Sequence, residues 1–112
     1  MKRGEIYLVD IIDRNDNCTC GRRPCIIVQN DIGNEFSPTT IVVPLTTKLK
    51  KLEMKTHVLL INPLHEDINS MALCEQVLTV SKSNIVGYVG ELNENDMMRV
   101  SVGLMCSLGI LM

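Results

Sequence analysis

The sequence predicts a domain that is mainly β with α additions, organised as a small β-barrel with a C-terminal helix. Three observations lead to this prediction. Short apolar runs rich in Val, Ile and Thr are separated by clusters of Gly, Pro, Asn and Asp, which is typical of strands joined by turns. The apolar spacing lengthens to three and four after residue 93, which indicates a helix. A length of 112 residues suits one domain, so residues 1–112 are interpreted as a single unit.

The first two strands are predicted from one alternating segment and one continuous apolar run. Glu5–Ile11 alternates loosely between apolar and polar residues, as a half-buried strand does. A second strand is expected to open at Pro24 and to run through about Gln29, because its residues are apolar and β-branched. Pro24 lacks an N–H, which suits the first position of a strand, and it biases Arg23 towards extended geometry. Residues 13–21 are polar and predict a loop.

Further strands are predicted downstream. Thr39–Thr46 is rich in Thr, Ile and Val, and Pro44 near its end implies an edge position or a bulge. The other predicted strands are residues 56–61, residues 71–80 as one or two strands, and residues 86–90. The expected connections between them are residues 30–38, a basic loop at residues 47–55, and residues 62–70.

A helix is predicted over residues 94–108. Asn93 is a good N-cap, and Glu94 and Asp96 favour the positive end of the helix dipole. One predicted face carries apolar residues spaced by three and four, namely Met97, Val100, Leu104 and Leu108. Met98, Val102 and Met105 widen this face, which leaves a homodimer interface and ordinary core as open interpretations. Ser81 is also expected to cap a single helical turn over residues 82–85.

Charge and hydropathy restrict the partners. The net charge of −2 gives no global attraction for nucleic acid, so any anion binding must be local. The basic residues do cluster, at Arg22 and Arg23 and at Lys48, Lys50, Lys51 and Lys55. The first residues lead into a strand-like segment and not into an apolar signal region, and no apolar stretch has the length of a membrane span. A cytoplasmic protein without a membrane partner is therefore expected.

The cysteines raise the question of a metal site. Five cysteines is an odd number, which argues against a disulfide framework. Cys18, Cys20 and Cys25 can be imagined as thiolate ligands, but their spacing matches no common zinc pattern. His57 and His65 have no matching partners. We expect no metal and no cofactor, with Cys25 acting as a small core residue.

Arg23 is the candidate functional residue with a physical rationale of its own. The strand-opening proline after it is expected to hold it at the rim of a rigid strand, where its planar guanidinium can pair with two phosphate oxygens. The alternative is an arginine in a surface ion pair, which is the more common fate of an exposed charge.

Several ordered motifs then resemble those of a known family. They are Lys2-Arg3-Gly4-Glu5-Ile6-Tyr7, Arg23-Pro24, Ile26-Ile27-Val28-Gln29-Asn30-Asp31, Ile32-Gly33-Asn34, Ser37-Pro38-Thr39, Pro44-Leu45-Thr46, Thr56-His57-Val58 and Glu75-Gln76-Val77-Leu78-Thr79. By these motifs the chain resembles the MazF/PemK-type toxins, the endoribonuclease halves of toxin–antitoxin pairs. The motifs keep consistent spacings over nearly the whole length, so the resemblance does not depend on any one of them.

The resemblance implies a fold, an activity and partners. It implies an SH3-like barrel with a C-terminal helix that forms a homodimer, and metal-independent cleavage of single-stranded RNA. It implies a MazE-like antitoxin that lays an acidic C-terminal tail into the RNA groove. The family's catalytic arginine and threonine or serine fall on Arg23 and Thr46. Its RNA-groove residues fall on Ser70, Glu75 and Gln76, and Lys48 is expected to bind substrate beside them. The chain departs from close relatives at residues 16–19 and at Leu78, which bears on base preference.

The expected chemistry uses the 2′-hydroxyl of RNA as its nucleophile. Arg23 would stabilise the negative phosphorane and Thr46 would donate its hydroxyl to the same phosphate oxygens, giving a 2′,3′-cyclic phosphate and a 5′-hydroxyl. A high pKa makes arginine a poor general base, so His57 remains an alternative base. Two other functions stay open: a non-enzymatic toxin that poisons DNA gyrase, and a plain RNA-binding module, against which the scarcity of aromatic residues counts.

Overall fold

Seven antiparallel strands and a C-terminal helix make up the fold in a computed structural model that describes residues 1–12, 21–64 and 67–111. The strands are β1 (Glu5–Ile11), β2 (Gly21–Ile27), β3 (Thr39–Thr46), β4 (His57–Leu60), β5 (Ser70–Leu73), β6 (Leu78–Ser81) and β7 (Ile85–Glu91). The helices are α1 (Asp31–Phe36) and α2 (Glu94–Ser107), with 3₁₀ turns at Cys74–Gln76 and Lys82–Asn84. Of the loop predicted at residues 13–21, residues 13–20 with Cys18 and Cys20 lie outside the described residues, as does His65, and Gly21 begins β2.

The strands are ordered β4-β5-β3-β2-β1-β7, and β6 pairs with β3 beside β5. Among the described residues no strand pair joins β4 to β7, so the sheet curves without closing into a complete barrel. The predicted fold class, mainly β with a C-terminal helix, is confirmed. No helix in the described part of the chain has the length and apolarity to cross a membrane.

The apolar run of β2 is continuous because both faces of this strand are buried. Ile26 belongs to the core cluster that Met97 and Val100 of α2 cover. Cys25 and Ile27 point into a second cluster, with Val9 and Val42, on the opposite face. Pairing with β1 on one side and β3 on the other also satisfies its backbone. Alternation is expected only where one face meets water, so its absence here marks an interior strand.

Pro44 corrects one expectation. Its strand, β3, has the predicted bounds but is neither an edge strand nor bulged at Pro44, which pairs in regular register with Cys25 of β2. On the other side, Thr39 to Val42 pair with β6, while Leu45 and Thr46 pair with β5. Pro44 therefore lies at the handover between two partner strands, where a missing N–H removes neither set of pairs.

The sequence predicts only a turn-rich connection at residues 30–38, but Asp31–Phe36 form the short helix α1. Asn30 caps it, since its Oδ1 accepts a hydrogen bond from the Gly33 N–H at 2.8 Å. Asn34 is buried at 4% exposure and donates to the Gln29 carbonyl, while the hydroxyl of Thr40 donates to its Oδ1 at 2.7 Å. The helix is thus held by side-chain bonds to β3 and to the chain before it, which no local pattern reveals.

Pro24 does not open β2 as expected, because the pairing with β1 continues back to Gly21 and places Pro24 inside the strand opposite Leu8. The remaining boundaries lie close to the predicted ones. Residues 71–80 form two strands separated by a 3₁₀ turn, and β2 ends two residues before Gln29. The Ser81 hydroxyl caps the predicted turn by accepting from the Ser83 N–H at 3.2 Å. Asn93 caps α2 by accepting from the Asp96 N–H at 2.8 Å.

Helix α2 buries a narrower face than predicted. Met97, Val100 and Gly103 are buried, and Leu104 packs against the same core. Leu108, expected on this face, follows the last helical residue and is 63% exposed. Because the helix ends at Ser107, the period of three and four no longer directs Leu108 onto the sheet.

Candidate active site

A polar cavity of about 330 Å³ opens at the ends of β2 and β3. Its lining comes from the strands β2, β3, β4 and β5, from the basic loop at residues 47–55 and from the 3₁₀ turn that follows β5. The lining residues are Arg23, Thr46, Lys48, Lys50, Lys51, Met54, His57, Leu73, Glu75 and Gln76. Residues distant in sequence are thus brought together, including five of the six expected at the site.

Strand pairing places Arg23 and Thr46 at this rim. Cys25 pairs with Pro44 in the antiparallel register of β2 and β3, and continuing that register by two residues sets Arg23 opposite Thr46. Residues two apart on a strand project to the same face, so Arg23 projects to the face of Cys25 and Thr46 to the face of its partner Pro44. Both side chains therefore line the same cavity. On its other side Arg23 pairs with Val9 of β1, which fixes its backbone within the sheet.

The Thr46 hydroxyl is oriented by the turn that follows it. Its Oγ1 accepts a hydrogen bond from the Lys48 N–H at 3.2 Å. This contact uses a lone pair of the oxygen and leaves the hydroxyl proton to donate elsewhere. Thr46 can therefore donate to an anion bound in the cavity.

The cavity is cationic although the chain is net negative. Four cationic side chains, those of Arg23, Lys48, Lys50 and Lys51, line it together with one carboxylate, Glu75. The lysines are exposed at the mouth, while Arg23 is half-buried. A local cluster of this kind attracts a polyanion at short range even though the net charge of the chain is −2.

His57 joins the basic loop to Glu75. Its Nδ1 lies 3.2 Å from the carbonyl oxygen of Lys50 and 3.1 Å from that of Lys51. Its Nε2 contacts Oε2 of Glu75. The His57 side chain is 5% exposed and that of Glu75 is 33% exposed, so the contact lies at the cavity wall. Both ring nitrogens thus face acceptor oxygens of the protein, and neither is directed at a substrate.

Of the other residues expected to bind substrate, two line the cavity and one does not. Gln76 and Lys48 line the cavity, as predicted. The structure does not bring Ser70 to it, because Ser70 opens β5 with only 1% exposure. All four residues of β5 are buried between neighbouring elements, which removes the Ser70 hydroxyl from contact with RNA.

Arg22 shows the ion-pair role that was the alternative for Arg23. Its guanidinium Nε lies 2.9 Å from Oδ1 of Asp10 across the β1–β2 pair, with both side chains about half exposed. A hydrogen bond from Arg22 lowers the pKa of the Asp10 carboxyl. Such an exposed pair has little effect on stability, and it sits outside the cavity lining.

Thiolate metal binding finds no support in the described residues. They contain no group of three or more His, Cys, Asp or Glu side chains placed to hold a metal ion. Cys25, one of the three imagined ligands, is fully buried, and burial raises the pKa of its thiol to about 12, with the charge of Arg23 opposing. A thiol in this environment stays protonated, which does not suit a metal ligand.

Sequence reasoning missed two features of the site. Met54 and Leu73 contribute apolar wall, and the contact between His57 and Glu75 spans 18 residues. The one sequence signal for the missed contact is that His57 lies where the basic loop meets a buried strand. Its partners depend on β4 pairing with β5, in which His57 lies opposite Leu73, close to Glu75.

The chain is similar to known proteins over almost its whole length. A family profile described as PemK-like, MazF-like toxin of type II toxin–antitoxin system matches residues 2–108. The chain is 34% identical over 111 residues to the Endoribonuclease MazF of Staphylococcus saprophyticus. The matched region covers 98% of this chain and 92% of the relative.

Solved structures share the fold. The Form-I crystal structure of MazF from Deinococcus radiodurans matches with a TM-score of 0.82 at 18% identity, over 97% of this chain and 96% of that one. An endoribonuclease in complex with its cognate antitoxin from a mycobacterial species matches with a TM-score of 0.79 at 23% identity, over 100% and 98% of the two chains. At these identities the likeness concerns the fold alone.

Proposed function

Since the chain belongs to the PemK-like, MazF-like toxin family of type II toxin–antitoxin systems and is accordingly an endoribonuclease, we propose that it cleaves single-stranded RNA with Arg23 and Thr46 as its catalytic residues. The observation that carries this proposal is the convergence of these two side chains in one cationic cavity. Lys48, Glu75 and Gln76 of the same cavity bind the RNA on either side of the scissile phosphate.

The proposed reaction uses the substrate's own nucleophile. The 2′-oxygen forms a bond to phosphorus while the bond from phosphorus to the 5′-oxygen breaks, which leaves a 2′,3′-cyclic phosphate and a 5′-hydroxyl. One proton leaves the 2′-hydroxyl and one is added to the departing oxygen. No metal takes part, because negative charge on the phosphorane is met by Arg23 and by the hydroxyl of Thr46.

Arg23 acts chiefly through its charge and geometry in this mechanism. Its guanidinium donates to two phosphate oxygens at once from a rigid strand, so it is preorganised for the transition state. His57, the alternative general base, has both ring nitrogens engaged with protein oxygens. We therefore do not assign His57 a proton-transfer step.

The proposal extends to partners. The mycobacterial relative is described in complex with its cognate antitoxin, and a type II toxin is by definition paired with one. We propose that a MazE-like antitoxin with an acidic C-terminal tail binds this chain by occupying the cationic cavity and excluding RNA. We also propose that the chain acts as a homodimer in the cytoplasm, where mRNA is translated.

Incubation with a long RNA in excess EDTA tests the proposed function. We expect discrete cuts that persist in the chelator and carry 2′,3′-cyclic phosphate ends, and we expect none with Arg23→Ala. Loss of cleavage in EDTA, restored by zinc or magnesium, would overturn the mechanism. The comparisons give no support to the gyrase-poisoning alternative, since the curated relative is named an endoribonuclease. Gyrase inhibition without RNA cuts would reinstate it.

A further inference from the structure

We propose that His57 is a positioning residue that holds the basic loop and the Glu75 carboxylate in place on two sides of the active site. The inference rests on the proposed function, because it concerns how that site binds RNA. His57 itself need not touch RNA or the reacting phosphate.

The first observation is that the His57 ring contacts acceptors at both ends. A backbone carbonyl can only accept, so the Nδ1 that lies 3.2 Å and 3.1 Å from the carbonyl oxygens of Lys50 and Lys51 must carry a proton. At the other end, Nε2 contacts Oε2 of Glu75. The ring therefore links the loop to the 3₁₀ turn.

The second observation is that the loop needs a support of this kind. Lys51 has a φ of +49°, in the left-handed region that residues other than Gly rarely adopt. Its carbonyl oxygen accepts from the Met54 N–H at 3.0 Å as well as facing His57. A conformation of this kind persists only where surrounding contacts hold it, and the buried imidazole supplies one. The ammonium groups of Lys50 and Lys51 then stay at the cavity mouth.

The third observation concerns Glu75. It is the one carboxylate among the described residues that line the cavity, and it shares that cavity with four cationic side chains. Its contact with His57 directs the negative charge to the wall. Released from His57, this carboxylate is free to approach the cations that bind RNA phosphate, and it then competes with the substrate.

Two isosteric variants separate the two ends of the bridge. In His57→Asn, the side-chain NH₂ replaces the Nδ1 donor, so the loop keeps its bond while Glu75 loses its partner. In His57→Gln, the NH₂ replaces the Nε2 donor, so Glu75 keeps its partner while the loop is released. His57→Ala loses both. Thermal unfolding of each variant establishes that it is folded.

The loop end is read by limited trypsin digestion, followed by mass spectrometry of cleavage after Lys50 and Lys51. We expect His57→Gln and His57→Ala to be cut on the order of tenfold faster than the wild type, and His57→Asn to resemble the wild type. Cleavage after Lys82, in the 3₁₀ turn before β7, serves as the control for global unfolding. Equal protection of the loop in all four proteins would overturn the proposal.

The Glu75 end is read by RNA-cleavage kinetics. We expect His57→Asn to raise KM on the order of tenfold with kcat nearly unchanged, because Arg23 and Thr46 are held by β2 and β3 and not by Glu75. The increase should shrink when Glu75→Gln is added, since an amide carries no competing charge. A double-mutant cycle isolates this coupling from any direct contact of Glu75 with RNA.

The outcomes keep this proposal apart from the proposed function. If His57→Asn raises KM by the same factor with and without Glu75→Gln, the positioning role is overturned. A loss of kcat like that of Arg23→Ala would instead make His57 part of the chemistry and overturn it as well. If the wild type cuts no RNA, the proposed function fails, and the trypsin result still decides whether His57 holds the loop.

Discussion

At the scale of single residues, the difference between Arg22 and Arg23 gives the sharpest prediction. Arg22 pairs with Asp10 on the surface, whereas Arg23 lines the cationic cavity. Arg23→Ala should reduce RNA cleavage by about 10²–10³-fold or more, because a preorganised donor to the transition state is lost. Arg22→Ala, the matched control, should keep nearly full activity. The measurement is the rate of RNA cleavage by each folded variant, and equal losses in the two variants would contradict the assignment of Arg23.

Thr46 is tested by changes that preserve its shape. Thr46→Val keeps the side-chain volume but removes the hydroxyl, and cleavage should slow by about 10²-fold. Thr46→Ser retains the hydroxyl and should remain much closer to the wild type. Denaturant unfolding of both variants checks stability. A Val variant that is clearly destabilised yet cleaves normally per folded molecule would show that Thr46 supports only the turn at Lys48.

At the scale of elements, Gly103 determines how closely α2 approaches the sheet. A Cβ atom added there would lie 2.8 Å from Sγ of Cys74 and 3.0 Å from Cγ2 of Val58. Alanine favours a helix by about 1 kcal/mol over glycine, but crowding a packed interface costs about 1–3 kcal/mol. Gly103→Ala should therefore lower the free energy of unfolding by about 1 kcal/mol.

Equilibrium denaturation measures this change, with Val102→Ala on the exposed face of α2 as the control. Adding Cys74→Ala should make Gly103→Ala less harmful than it is alone, because the nearest crowding atom is gone. A stabilised Gly103→Ala variant would mean that the helix shifts outward without loss.

The elements also show what the sequence can and cannot predict. Glu5–Ile11, Thr39–Thr46 and the Asn93 cap follow from local patterns, because alternation, β-branching and capping act within a few residues. The helix α1 was missed although Asn30 caps it locally as Asn93 caps α2, and its bond between Asn34 and Thr40 reaches across to β3, beyond any local pattern. The edge or bulge expected at Pro44 was wrong because a strand tolerates proline according to which strands pair beside it, and the local sequence does not specify these partners.

At the scale of the whole molecule, the chain is net negative but has one cationic cavity, which predicts that RNA and antitoxin bind the same surface. Lys50→Glu with Lys51→Glu should weaken RNA and antitoxin binding together, and the wild-type association rate should fall as salt rises. Lys55→Glu, in the same loop but outside the cavity lining, is the matched control. Stopped-flow binding at several ionic strengths measures the effect. A double variant that loses the antitoxin yet binds RNA normally would show that inhibition acts elsewhere.

The site as a whole could be predicted only in part. Pro24 was expected to hold Arg23 at the start of a strand, but β2 begins at Gly21 and Arg23 pairs with Val9 within it. Lys48 was expected from the cluster of basic residues, and Thr46, Glu75 and Gln76 through family resemblance. Ser70 was expected there too and is buried, because the packing of β5 decides which hydroxyls reach water. The link between His57 and Glu75 depends on β4 pairing with β5, which composition and spacing do not encode.

The pairing of β1 with β7 has a consequence for the timing of synthesis. During synthesis β1 waits for residues 85–91 before it gains its second neighbour, and α2 covers the sheet later still. Arg23 and Thr46 can meet early, since β2 and β3 are adjacent in sequence, yet the sheet that holds them is incomplete until then. A nascent chain that has exposed only Arg23 and Thr46 should therefore be harmless to the message being translated. We therefore expect RNA cleavage by this chain only after synthesis has passed β7.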